Sequence, residues 1–150
     1  MLLTIEEVAS WSGLSDRAIR NYIRDGFLQG DKSSGKWMFS LEQYGNFLKH
    51  PYIAPVIETK NRAFINSMID SVPDGNSRVC IFLDLLDHRK EAFGFFGHYA
   101  NDNRDLLDEE VTLSMWPLKG VDGSRIIIQG PHDFIIEMLA KYHEERKSWA

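Results

Sequence analysis

Side chains capable of chemistry fall into two groups in this 150-residue chain. The first is scattered through its later part. Asp84, Asp87 and His88 lie close together, and His98, Asp102, His132 and His143 extend the set of potential metal ligands. None falls in a spaced metal motif such as H-E-x-x-H. Asn101-Asp102-Asn103-Arg104-Asp105 begins like a calcium loop, but Leu106 stands where glycine is required and Thr112 where the bidentate glutamate belongs. No metal is expected; Asp102, Asp105, Asp108, Glu109 and Glu110 read instead as a solvated acidic loop that repels nucleic acid. Cys80 is the only cysteine, which excludes an internal disulfide and a zinc finger. It reads as a small buried strand residue in V-C-I-F-L. With no nucleophile elbow, P-loop or dinucleotide fingerprint, neither a catalytic residue nor a cofactor is expected.

The second group is compact. Arg17, Arg20, Asn21 and Arg24 recur at helical spacing, away from an apolar stripe of Ala18, Ile19, Tyr22 and Ile23. Arginine can pair bidentately with guanine and asparagine with adenine, while other arginines only hold phosphates. Such a face suits a DNA groove. Ser15 is a natural N-cap for this helix and joins the candidate DNA-binding residues, and Gly26 can supply the left-handed residue that ends it. Lys32 and Lys36 bracket Ser33-Ser34-Gly35 at the tip of an expected hairpin, where basic side chains can touch phosphates without reading sequence.

These residues need a scaffold, and residues 1–50 contain one. Thr4 with Glu7 fits a capping box ahead of Ile5, Val8 and Ala9, which predicts a helix over 5–12. Gly13-Leu14 then makes a tight turn into the helix begun by Ser15. Phe27-Leu28-Gln29 and Lys36-Trp37-Met38-Phe39 are expected to pair as the hairpin strands. Ser40 with Gln43 opens a third helix carrying Leu41, Tyr44 and Leu48 on one face. Six basic and six acidic residues cancel over residues 1–50, so the whole net charge of −5 lies beyond His50. Any DNA binding must therefore come from a local arginine cluster, not from bulk charge.

The run L-T-I-E-E-V-A-S-W-S-G-L-S-D-R-A-I-R-N-Y-I-R-D-G-F-L resembles the N-terminal winged helix-turn-helix of the MerR family, and G-K-W-M-F-S-L-E-Q-Y is similar to its excisionase-like relatives. The resemblance covers the first third of the chain. It implies a second helix that enters the DNA groove through Arg17, Arg20, Asn21 and Arg24, with a wing carrying Lys32 and Lys36. Tyr22 matches a core aromatic, expected to pack first and to touch phosphate second. The resemblance also implies a homodimer.

Pro51 and Pro55 mark a linker over 51–55, and Val56–Val72 reads as a helix with Phe64, Ile65, Met68, Ile69 and Val72 on one side. Pro73-Asp74-Gly75-Asn76 should end it. Four strands are then expected, and hairpin-length connections between them favour an antiparallel sheet. Val79–Leu83 reads as a central strand, followed by Ala92–Tyr99 with strand glycines Gly94 and Gly97. Val111, Leu113 and Met115 alternate with Thr112, Ser114 and Trp116, and Arg125–Ile128 completes the set. A last helix after Gly130-Pro131 carries Phe134, Ile135, Met138, Leu139 and Tyr142. The expected class is α+β, with a winged helix-turn-helix over 1–50 and an antiparallel-sheet domain with flanking helices over 56–150. Phe93, Phe95, Phe96, Tyr99 and Trp116 are either core or the lining of a pocket for an apolar effector.

A 43% hydrophobic share suits a folded protein, and no apolar run is long enough for a membrane span. Met1–Glu7 holds no basic, apolar leader, so a cytoplasmic protein is expected. The expected function is sequence-specific binding of double-stranded DNA, as a transcriptional regulator whose C-terminal domain senses a small molecule or mediates assembly. The rivals are an excisionase-like architectural protein, an enzyme tethered to DNA by its N-terminal unit with Asp84, His88 or His98 doing the chemistry, and a protein-interaction module.

Overall fold

A computed structural model describes residues 2–72, 75, 77–103 and 111–149. The protein is α+β and divides into two compact units, Met1–Ser71 and Val72–Ala150.

Three side-chain caps start the first three helices of the first unit. The Thr4 hydroxyl accepts the Glu7 N–H at 3.2 Å and starts α1, Ile5–Ser12. Ser15 accepts the Ala18 N–H at 3.1 Å and starts α2, Asp16–Arg24. Ser40 and Gln43 exchange hydrogen bonds of 3.0 and 2.9 Å in a full capping box before α3, Leu41–Lys49. Each such cap satisfies a backbone donor that the helix itself leaves open. Buried Ile5, Val8, Trp11, Ile19, Tyr44 and Phe47 form the core of this unit, with Trp11 and Tyr44 edge to face at 6.1 Å. Two short strands, β1 (Leu2–Leu3) and β2 (Phe39–Ser40), pair antiparallel beside it.

Two expectations for this unit need correction. Phe27–Gln29 is not a strand: Phe27 and Leu28 both donate to the Tyr22 carbonyl, which folds the chain back onto the end of α2. The 31–38 hairpin is closed by the Asp31–Met38 bridge alone. Nor are 51–55 a free linker. Ile53 is buried, and α4 already begins at Ala54 and runs to Asp70, with Pro55 in its first turn where no N–H is needed. Of its expected stripe, Phe64, Ile65 and Met68 are half-buried while Ile69 and Val72 are exposed.

The second unit holds a three-stranded antiparallel sheet, β3 (Arg78–Leu85), β4 (Thr112–Pro117) and β5 (Ser124–Pro131), in the order β3-β5-β4. Among the described residues, helices α5 (Arg89–Asp102) and α6 (His132–Arg146) accompany it. The expected strand Ala92–Tyr99 is thus helical. Ala92, Phe93 and Phe96 are buried while His98 is exposed, a helical period that the repeated phenylalanines concealed. Gly94 lies inside this helix with open space where a Cβ would stand. Val79–Leu83 is an edge strand and not the centre, which β5 occupies; Ile126, Ile127 and Ile128 are accordingly buried on both faces. Cys80 is exposed, against expectation. The turn at Pro73, Asp74 and Asn76 and the acidic run Asp105, Asp108, Glu109 and Glu110 lie outside the described residues.

Candidate nucleic-acid interface

The angle between α1 and α2 is fixed by a turn whose chemistry is local. Gly13 adopts φ 76° and donates to the Ala9 carbonyl, a conformation that favours glycine. Ser12, fully buried, donates to Ala9 and accepts the Leu14 N–H, both at 3.3 Å. Leu14 and Ile19 then drop into the core and turn the opposite side of α2 outward.

That outward side carries the expected residues. Arg17, Arg20 and Arg24 are exposed and Asn21 is half-buried. Spacings of three and four place them along one stripe about 10 Å long. Arg24 also reaches Asp25, Nε to Oδ1 at 3.1 Å, so part of its charge is already answered. The Ser15 oxygen is engaged as a cap, which leaves its hydroxyl hydrogen free to donate to an anion. Tyr22 packs against Phe27 and Phe47, with ring centroids 6.0 and 5.5 Å away.

The 31–38 segment meets this helix at Arg20. Asp31 accepts both the N–H and the hydroxyl of Ser33, at 2.8 and 3.0 Å, and Gly35 closes the tip at φ 88°. The hydrogen bond from the Ser33 N–H, with that from its hydroxyl, holds the Asp31 carboxyl below its ordinary range. Lys32 lies 5.7 Å over the Trp37 ring, which in turn stacks on Phe39.

A cleft of ≈ 330 Å³ opens where the pieces meet. Arg20 enters it from α2 and Lys32 and Lys36 from the 31–38 segment; Thr4, Ile5 and Glu6 line it from the first turn of α1. Arg17, Asn21 and Arg24 stay outside. Thr4, Ile5, Glu6, Gly35 and Trp37 are not among the residues expected at the site, and two of them shape it most. Trp37 forms a wall, and Glu6 places a carboxylate among the cations. A hydrogen bond from its own backbone, aided by the Thr4 hydroxyl and the charges of Arg20 and Lys36, holds Glu6 below the usual carboxylate range despite slight burial. Its position two residues after a cap signalled only a helix start. Three cations on one concave surface suit an oxygen-rich anion such as a phosphodiester, with Glu6 opposing part of their charge.

Among the described residues, the second unit offers no comparable convergence. Phe95 and Phe96 pack on Tyr142 at 5.6 and 5.0 Å, and Tyr99 on Phe134 at 5.7 Å. Phe93 and Trp116 are buried. These rings therefore serve to join α5 and α6 or fill the core. Asp84 is held by Arg125, His88 lies beside Trp149 and His98 is exposed. Among the described residues, no group of three or more His, Cys, Asp or Glu is placed to hold a metal ion, and no helix is long and apolar enough to cross a membrane. No protein-family model, curated protein or solved structure matches the chain.

Proposed function

We propose that residues 1–50 act as a winged helix-turn-helix that binds double-stranded DNA, with α2 in the major groove and the 31–38 segment as the wing. The chain is then a cytoplasmic transcriptional regulator of the kind its MerR resemblance implies, working as a homodimer. Its second unit serves assembly or the sensing of a small effector. The observation that supports this reading best is the meeting of Arg20 with Lys32 and Lys36 in one cleft, on a helix that also carries exposed Arg17 and Arg24 and half-buried Asn21. One set of groups can grip phosphate while the other reaches base edges.

Titration of labelled genomic fragments at several salt concentrations tests it. The expected result is salt-sensitive binding with a site preference, weakened by Arg20→Ala. No binding to any fragment at low salt would overturn it.

A further inference from the structure

We propose that the outer edge of β3 pairs antiparallel with β3 of a second copy of this chain, joining two three-stranded sheets into one of six. The inference deepens the two-copy part of the reading above and is independent of DNA binding.

β3 runs eight residues and pairs with β5 along its whole length without a break in register. Among the described residues, no strand pairs with its other side. Proteins that stay monomeric protect such an edge with lysine, proline, a bulge or brevity. R-V-C-I-F-L-D-L has none of these devices. The opposite edge of the sheet, β4, is shorter and ends on Pro117. Exposure fits an unfinished surface: Phe82 is 50% exposed and Cys80 is open, while Val79, Ile81 and Leu83 are only half-buried.

The sequence of β3 is complementary to itself in one register. Residues facing each other across antiparallel strands lie on the same side of the sheet. Centring the two-fold axis on Ile81 sets Arg78 opposite Asp84, Cys80 opposite Phe82 and Val79 opposite Leu83. Opposite charges then meet at both ends of the pair, and one face becomes a continuous apolar row. Asp84 already accepts from Nε and one terminal nitrogen of Arg125, and a carboxylate has lone pairs for a second guanidinium. Moving the axis to Cys80 or Phe82 separates Arg78 from Asp84 in either direction. Parallel pairing would place like charges together, which is destabilising.

Sedimentation without DNA tests the proposal. The wild type is expected at twice the 17.3 kDa chain mass at micromolar concentration, and Ile81→Lys, which sets two ammonium groups face to face, at the single mass. A second variant keeps the apolar edge. In Cys80→Ser/Ile81→Cys the two thiols stand directly opposite, with Cβ atoms about 5 Å apart, and mild oxidation should link the copies. Wild-type Cys80 stands diagonally across, at about 7–8 Å, and should not link. A wild-type monomer at every concentration overturns the proposal. So does a dimer whose mass survives Ile81→Lys, or linkage through Cys80 without linkage at position 81. Arg20→Ala, which tests DNA binding, leaves the mass unchanged.

Discussion

Removing the ammonium group of Lys36 measures how the cleft works. Arg17, Arg20, Arg24, Lys32 and Lys36 are the five cations of the proposed interface. If each meets one phosphate, binding should follow a log–log salt slope of about −4.5, from roughly −0.9 per contact. Affinity then falls about 500-fold between about 50 and 200 mM salt. Lys36→Ala should bring the slope to about −3.6 and the fall to about 150-fold, with equal losses on preferred and random sequences. Lys36 is exposed, so the truncation leaves the core intact. Arg24→Ala should flatten the slope by less, because Asp25 already answers part of that charge at 3.1 Å. Fluorescence anisotropy of a labelled duplex at four salt concentrations gives the slopes. An unchanged slope for a Lys36→Ala protein with wild-type thermal stability would remove Lys36 from the phosphate surface and with it the role of the cleft.

Further outcomes follow from single contacts. Glu6→Gln removes the carboxylate beside Arg20 and Lys36, so it should raise DNA affinity several-fold at low salt, an advantage that fades as salt screens the charges. Ser40→Ala removes the hydroxyl that accepts the Gln43 N–H, while the residue 40 N–H still donates to the Gln43 side chain, and should cost about 1 kcal/mol in a thermal or denaturant melt. The Asp31 carboxyl is depressed below its unfolded value of about 3.9, so its support of the 31–38 turn is present above that pH and is lost as pH falls through the folded value. In an NMR titration, the Ser33 amide shift should therefore move with a midpoint below about 3.9.

Local signals carried the sequence reading furthest. Thr4, Ser15 and Ser40 each announce a helix within three residues, and all three cap where their spacing predicts. The exposed stripe on α2 follows from the same period of 3.6. What failed depends on partners distant in the chain. The phenylalanine-rich segment around Gly94 and Gly97 suits strand or helix alone; Tyr142 and Phe134 on α6 decide for helix by giving its rings one side to pack on. The apolar run at Val79–Leu83 suggests burial on both faces but cannot report how many neighbours the strand has. Glu6 and Trp37 reach the cleft only because β2 pairs with β1 at the start of the chain, drawing the 31–38 segment onto α1.

Charge links the two proposals. Residues 1–71 hold eight basic and eight acidic side chains, so the first unit has no formal net charge and the −5 falls entirely on residues 72–150. Bulk attraction therefore cannot hold the chain on DNA; only the sorting of cations to one surface can. Five contacts give one unit a modest grip that salt weakens quickly. A second copy doubles the cations without changing that balance, and if both units engage one site the slope should approach about −9. The slope of the wild type against that of Ile81→Lys then reports what pairing at the β3 edge does. A steep slope that relaxes to about −4.5 when pairing is blocked means the edge delivers two reading surfaces to one operator. Equal slopes mean the paired sheets bring copies together while each reads DNA alone.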